Sequence, residues 1–227
     1  MNVVYGGWRS RLQRGVTALV AVLGMILSAA AFAGPVPEAT ARPAPARTVL
    51  VLGDSLSAAY GLAANQGWVS LTARRMAASH PGWKVVNASI SGETTAGGAA
   101  RIAAELKRHR PAVVVIELGA NDGLRGLPLA QTRANLERIV RASQQAGARV
   151  LLLGMRMPPN FGPAYTQGFE ANFKDLAKKY RTGLLPFFLE PIATRRGSFQ
   201  SDNLHPTAAA QPALRDHVWP ALVPLLK

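Results

Sequence analysis

Thr48 to Leu62 reads TVLVLGDSLSAAYGL. Thr48 to Leu52 are apolar or β-branched and read as a buried strand. Gly53-Asp54-Ser55-Leu56 breaks that pattern, and a small-residue segment follows. A strand that stops at a glycine and then presents a serine suits a nucleophile on a tight turn at a sheet's C-terminal edge. Open α/β sheets bind their ligands at that edge. On this reading Ser55 attacks an ester or thioester carbonyl.

The rest of the chain repeats the pattern. Trp68 to His80 has helical spacing and is stopped by Pro81-Gly82. Trp83 to Ala88 is a second strand, followed by the polar turn Ser89 to Thr94 and a helix from about Gly98 to His109. Ala112 to Leu118 (AVVVIEL) reads as a central parallel strand covered on both faces, ended by Gly119 to Gly123. A helix over Gln131 to Ala146, a strand over Arg149 to Gly154, a Pro/Gly-rich loop over Met155 to Pro163 and a helix over Ala164 to Tyr180 come next. Gly183 to Phe188 is a fifth, poorer strand. Ile192 to Leu204 reads as irregular. Pro206 to Leu226 is a closing helix interrupted near Pro212 and Pro220. Strand–helix alternation of this kind predicts the α/β class: a three-layer α/β/α sandwich on a five-stranded parallel sheet in the order 2-1-3-4-5.

The folded domain is expected over residues 48–227. Upstream, Arg9, Arg11 and Arg14 precede an apolar run from Val16 to Ala33 that ends in the small-x-small pattern Ala31-Phe32-Ala33. This reads as a signal peptide over residues 1–33, cut after Ala33, and so as a periplasmic or secreted protein. An uncleaved membrane anchor is the alternative. Residues 34–47 are a Pro/Ala-rich extended linker. The chain has no cysteine, which excludes thiol nucleophiles and disulfides. Its formal net charge is +14. The excess suits transient contact with an anionic membrane surface. The dispersed Lys and Arg, without an aromatic-interleaved basic block, argue against nucleic acid. The oligomeric state is not encoded in any pattern here.

Ser55, Gly92, Asn121 and His205 fall in separate segments, the first three each after a predicted strand. Parallel strands bring those ends to one side of the sheet. A serine hydroxyl needs a base, and His205 is the candidate. Asp202 lies three residues earlier, where its carboxylate can hold the imidazole. The developing oxyanion needs donors, and the backbone N–H groups of Ser55 and Gly92 and the amide of Asn121 are placed to supply them. A glycine at position 92 lets the backbone approach the substrate closely. No two histidines show metal-ligand spacing.

Gly53-Asp54-Ser55-Leu56, Gly92, Gly119-Ala120-Asn121-Asp122 and Asp202-Asn203-Leu204-His205-Pro206 resemble the four blocks of the SGNH (GDSL) hydrolases. Longer matches over Asn87 to Thr94, Glu117 to Gly126 and Leu184 to Phe188 resemble the bacterial thioesterase I/lysophospholipase/arylesterase branch. The resemblance covers nearly all of residues 48–227. It implies Ser55, Asp202 and His205 as a catalytic triad, Ser55, Gly92 and Asn121 as the oxyanion hole, and no metal or organic cofactor. Asn203 departs from the pattern, since many relatives carry Gly there; Asn tolerates left-handed backbone better than most residues.

The expected substrate is a fatty-acyl ester or thioester, a lipid included. Arg125 and the loop Met157 to Tyr165 read as substrate-facing, with Leu124, Leu127, Pro158, Pro159, Phe161 and Tyr165 as an apolar wall. Two other readings stand beside this one. The same triad could remove O-acetyl groups from a polysaccharide, or the chain could be a non-catalytic acyl-chain carrier. A carrier has no need of serine, histidine and oxyanion donors together.

Overall fold

The structure is a computed structural model that describes residues 46–227. The leader read over residues 1–33, and the linker up to its last two residues, lie outside the described residues.

Five parallel strands form one sheet: β1 Arg47–Gly53, β2 Trp83–Asn87, β3 Val113–Glu117, β4 Arg149–Leu153 and β5 Gly183–Leu185. Their order is β2-β1-β3-β4-β5, as the alternation predicts. The helices are α1 Trp68–Ser79, α2 Thr95–His109, α3 Ala120–Leu124, α4 Leu129–Gln145, α5 Pro163–Tyr180 and α6 Gln211–Leu222. They cover both faces: α1 packs on α6, while α2, α4 and α5 pack side by side.

The unbroken Val/Ile run of β3 is buried at every position. A strand flanked by neighbours and covered on both faces has no solvent side to spend polar residues on. Leu50, Leu52, Ile116, Leu136, Ile139, Phe169 and Phe173 are among the fully buried side chains that join sheet to helices.

Register places the site. Gly53 at the end of β1 pairs with Glu117 at the end of β3. The segments that leave these ends, one toward Ser55 and one toward Asn121, are therefore neighbours. They straddle the crevice where the strand order reverses.

The structure differs from the sequence reading in four local ways. The segment after β3 winds into the short helix α3 instead of remaining a loop. Pro159–Phe161, inside the expected Met155–Pro163 loop, forms a 3-10 turn. β5 stops at Leu185, because Pro186 has no N–H to extend the ladder. The C-terminal helix is not interrupted at its prolines: Pro212 sits in the first turn of α6, where no intrahelical N–H is needed, and α6 continues through Pro220.

Candidate active site

The turn after β1 is held from beneath. Leu56 N–H donates to Asp54 Oδ1 at 3.0 Å. Ala58 N–H returns to the Asp54 carbonyl at 2.9 Å, and Tyr60 N–H to the Ser55 carbonyl at 3.1 Å. The chain thus curls around Ser55 and leaves its hydroxyl facing out. Gly53 is required for close approach. A Cβ there would stand 2.8 Å from the Ser57 side chain and 2.9 Å from Glu117 Oε2.

His205 reaches Ser55 from the other end of the chain. Its Nε2 lies 2.9 Å from Ser55 Oγ. Its Nδ1 lies 2.7 Å from Asp202 Oδ2. The loop is shaped to make this possible: Asp202 Oδ1 accepts from the backbone N–H of Leu204 at 2.9 Å and of His205 at 3.0 Å. Asn203 between them has φ +56°, the left-handed conformation that Asn accepts at low cost. These bonds, the His205 N–H first and then the imidazole, hold the Asp202 carboxyl down to about 2. It is a carboxylate throughout the neutral range, so it can fix the imidazole's tautomer and balance an imidazolium.

The Ser55 side of the site holds a different kind of acid. Asp54 and Glu117 are both fully buried. Burial pushes Asp54 up to about 6. Burial, and then the charge of Asp54, push Glu117 well above the usual carboxylate range. Two carboxyls this close cannot both ionise in a dry site. Glu117 Oε2 accepts from the Ser57 hydroxyl at 2.7 Å. The pair thereby ties the ends of β1 and β3 together under the nucleophile.

Neither the Ser55 N–H nor the Gly92 N–H has an acceptor among the described residues. Gly92 has φ +78°, and a Cβ there would meet nothing within 4 Å. No protein atom crowds position 92, so within the protein it is the positive φ that calls for glycine there. The Asn121 amide is already engaged: Nδ2 donates to Asp54 Oδ2 at 3.1 Å and to the Glu93 carbonyl at 3.0 Å. To serve an oxyanion, it must share or exchange one of these bonds.

A cavity of about 570 Å³ opens beside Ser55, Gly92, Asn121 and His205. Leu124 and Pro158 line it, as expected from the sequence. Arg125, Phe161 and Tyr165 do not line it. The Arg125 side chain turns to the Gly92 carbonyl, 3.2 Å away. Tyr165 donates its hydroxyl to the Leu127 carbonyl at 2.9 Å and stacks between Phe161 and Phe169, so these rings brace the loop from behind. The wall instead draws on residues the sequence reading passed over: Tyr60, Phe187, Leu189, Ala193 and Phe199. The Tyr60 ring lies against His205, with centroids 4.4 Å apart. For Phe187 and Leu189 the usable signal is the apolar run Leu184 to Leu189, which continues past the end of β5 at Leu185. Among the described residues, no group of three or more His, Asp or Glu could hold a metal ion.

This geometry has counterparts among known proteins. The GDSL-like lipase/acylhydrolase family profile matches residues 51–212. The chain is 51% identical over 183 residues to the esterase TesA of Pseudomonas aeruginosa, covering 81% of this chain and 91% of that protein. It is 42% identical over 187 residues to thioesterase 1/protease 1/lysophospholipase L1 of Escherichia coli, covering 82% and 88%. Among solved structures, a crystal structure of TesA superposes with a TM-score of 0.77 at 50% identity, covering 79% of this chain and 99% of that one.

Proposed function

The chain belongs to the GDSL-like lipase/acylhydrolase family and is an ester hydrolase, and on that premise we propose that it cleaves fatty-acyl esters and thioesters through an acyl-enzyme on Ser55. The observation that carries this reading is the Asp202–His205–Ser55 relay, with links of 2.7 and 2.9 Å, set at an apolar cavity. The relatives' names, esterase and thioesterase/lysophospholipase, support the same substrate class.

As Ser55 Oγ bonds to the acyl carbon, its proton passes to His205 Nε2. Asp202 stabilises the resulting imidazolium. The carbonyl electron pair moves onto oxygen, which receives the N–H groups of Ser55 and Gly92 and the Asn121 amide. Collapse breaks the bond to the alcohol or thiol, which leaves with the proton from His205. Water then adds to the acyl carbon as His205 takes its proton; collapse of the new tetrahedral species breaks the bond to Ser55 Oγ, which takes that proton back from His205, and the acid leaves.

The wall of Leu56, Tyr60, Leu124, Met157, Phe199 and Leu204 supports an acyl chain over an acetylated sugar, which would ask for polar partners. Each buried CH₂ is worth ~0.8 kcal/mol, or about fourfold in kcat/KM while the groove is filling. Across p-nitrophenyl esters from acetate to palmitate, kcat/KM is expected to rise from acetate and peak at roughly eight carbons or longer. A maximum at acetate would instead support the O-acetylesterase reading.

The apolar run before Ala33 and the small residues at its end support export through a cleaved leader. The mature protein recovered from cells is then expected to begin at Gly34; one that begins upstream of Val16 would contradict cleavage. Cleavage removes Arg9, Arg11 and Arg14, and the remaining net charge of +11 supports transient contact with an anionic membrane surface, from which lipid substrates would be drawn.

A further inference from the structure

The turn from Ile90 to Glu93 reaches the site from outside the sheet and the helices. It lies between β2 and α2, belongs to neither, and exposes Ile90, Ser91 and Gly92. Glycine populates positive and negative φ about equally. Gly92 does not itself fix its φ at +78°; the turn does, closed by the Glu93 N–H donating to the Ile90 carbonyl at 3.1 Å. If that angle relaxed, the direction of the Gly92 peptide N–H at the cavity wall would change.

The surroundings hold that turn in place. Before Gly92, Ile90 N–H donates to the Gly53 carbonyl at 3.0 Å, tying the turn to the end of β1. Arg125 donates to the Gly92 carbonyl at 3.2 Å. Asn121 donates to the Glu93 carbonyl at 3.0 Å. The Glu93 side chain reaches α2, where Arg101 meets it with both arms of its fork: Nε to Oε1 at 2.7 Å, and Nη2 to Oε2. Glu105 adds a longer contact to the same guanidinium at 3.4 Å.

An exposed ion pair contributes little to stability or geometry. This one is different in two respects. Its side chains are only 18% (Arg101) and 7% (Glu93) exposed, so solvent screens them weakly. Its two-pronged contact fixes direction as well as distance. Glu93 also packs on Gly97, where a Cβ would come within 3.0 Å of Oε1.

We propose that the Glu93–Arg101 pair is a positioning device for the oxyanion hole, locking the turn so that the Gly92 N–H points at the reacting oxygen. Arg101 does not line the cavity and touches no reacting atom. It acts only through Glu93 and Gly92. The inference rests on the reading above that the Gly92 N–H receives the oxyanion.

The test uses steady-state kinetics on soluble p-nitrophenyl butyrate with Arg101→Ala, Arg101→Lys, Glu93→Gln and the Arg101→Ala/Glu93→Ala double variant, each checked by thermal melt. Misplacing a donor by about 1 Å costs up to ~10²-fold. Arg101→Ala is expected to lower kcat ~10- to 100-fold with KM changed by no more than about twofold, because the donor acts in the transition state. Arg101→Lys restores part of the rate, and the double variant is no worse than the poorer single variant. If Arg101→Ala does not fold, Glu93→Gln and Arg101→Lys decide the matter by the same kcat-against-KM split. An unchanged kcat, a change confined to KM, or no rescue by lysine would overturn the proposal. Asn121→Ala separates the two levels. If it loses ~10²- to 10³-fold while the Arg101 variants lose nothing, the clamp alone is wrong. If Asn121→Ala is silent as well, the oxyanion reading itself fails.

Discussion

Asp54 and Asp202 flank the same Ser55–His205 site in sequence, and in opposite surroundings. Asp54 is fully buried at the end of β1, raised to about 6 by loss of solvent. Asp202 lies on a loop with its side chain 37% exposed, held down to about 2 by backbone N–H groups and the imidazole. Both are near the nucleophile in space, and Asp54 is nearer in sequence. The difference shows that a working carboxylate must be kept charged by donors, whereas a buried one serves best as part of a neutral or shared-proton brace. The exposed loop carries the charge chemistry, and the buried sheet edge carries the geometry.

The sharpest way to break this contrast is to neutralise each aspartate in turn. Asp202→Asn is expected to lower kcat ~10³- to 10⁴-fold, because the amide no longer enforces the tautomer that presents a basic Nε2 to Ser55. Asp54→Asn is expected to cost only about tenfold, since its NH₂ would face that of Asn121 and displace it slightly. Kinetics on one soluble ester decide it. A larger loss for Asp54→Asn would reverse the two roles.

A smaller effect separates the same residues by pH. Asp202 has a lowered folded pKa, so its contribution to stability is complete above the unfolded value near ~4 and disappears as pH falls through about 2. Asp54 has a raised folded pKa. The native state holds its extra proton between about 4 and about 6, so stability falls as pH rises through that window. Thermal melts between pH 4 and 7 should show this decline in the wild type and a shallower one in Asp54→Asn. Identical slopes would mean that the Asp54–Glu117 pair does not titrate differently in the folded protein.

The layers of the fold were readable because burial writes itself into sequence. The β3 run has no polar residue before Glu117, and the strand ends are marked by Gly, a polar break or, for β5, Pro186. The triad was readable for other reasons: Ser55 interrupts an apolar strand end with a group that serves no core, and His205 follows Asp202 at a spacing that lets the carboxylate hold the imidazole. Long side chains were harder to place. The guanidinium of Arg125 and the ring of Tyr165 satisfy themselves several residues away, on Gly92 and Leu127, and no local pattern reveals that choice. Glu117 looked like the end of a strand, and its pairing with Asp54 follows only from the register of β1 against β3. The cavity wall from Phe187 to Phe199 was hidden for the same reason. Its residues lie in a loop whose path depends on where β5 stops.

The central claim is that Ser55 forms the covalent intermediate with His205 as its base. Fluorophosphonate labelling followed by intact and peptide mass spectrometry tests it most directly. The account predicts one adduct, on the peptide that carries Ser55, lost in Ser55→Ala and strongly slowed in His205→Ala. An adduct on another residue, or ester hydrolysis that survives Ser55→Ala, would contradict it.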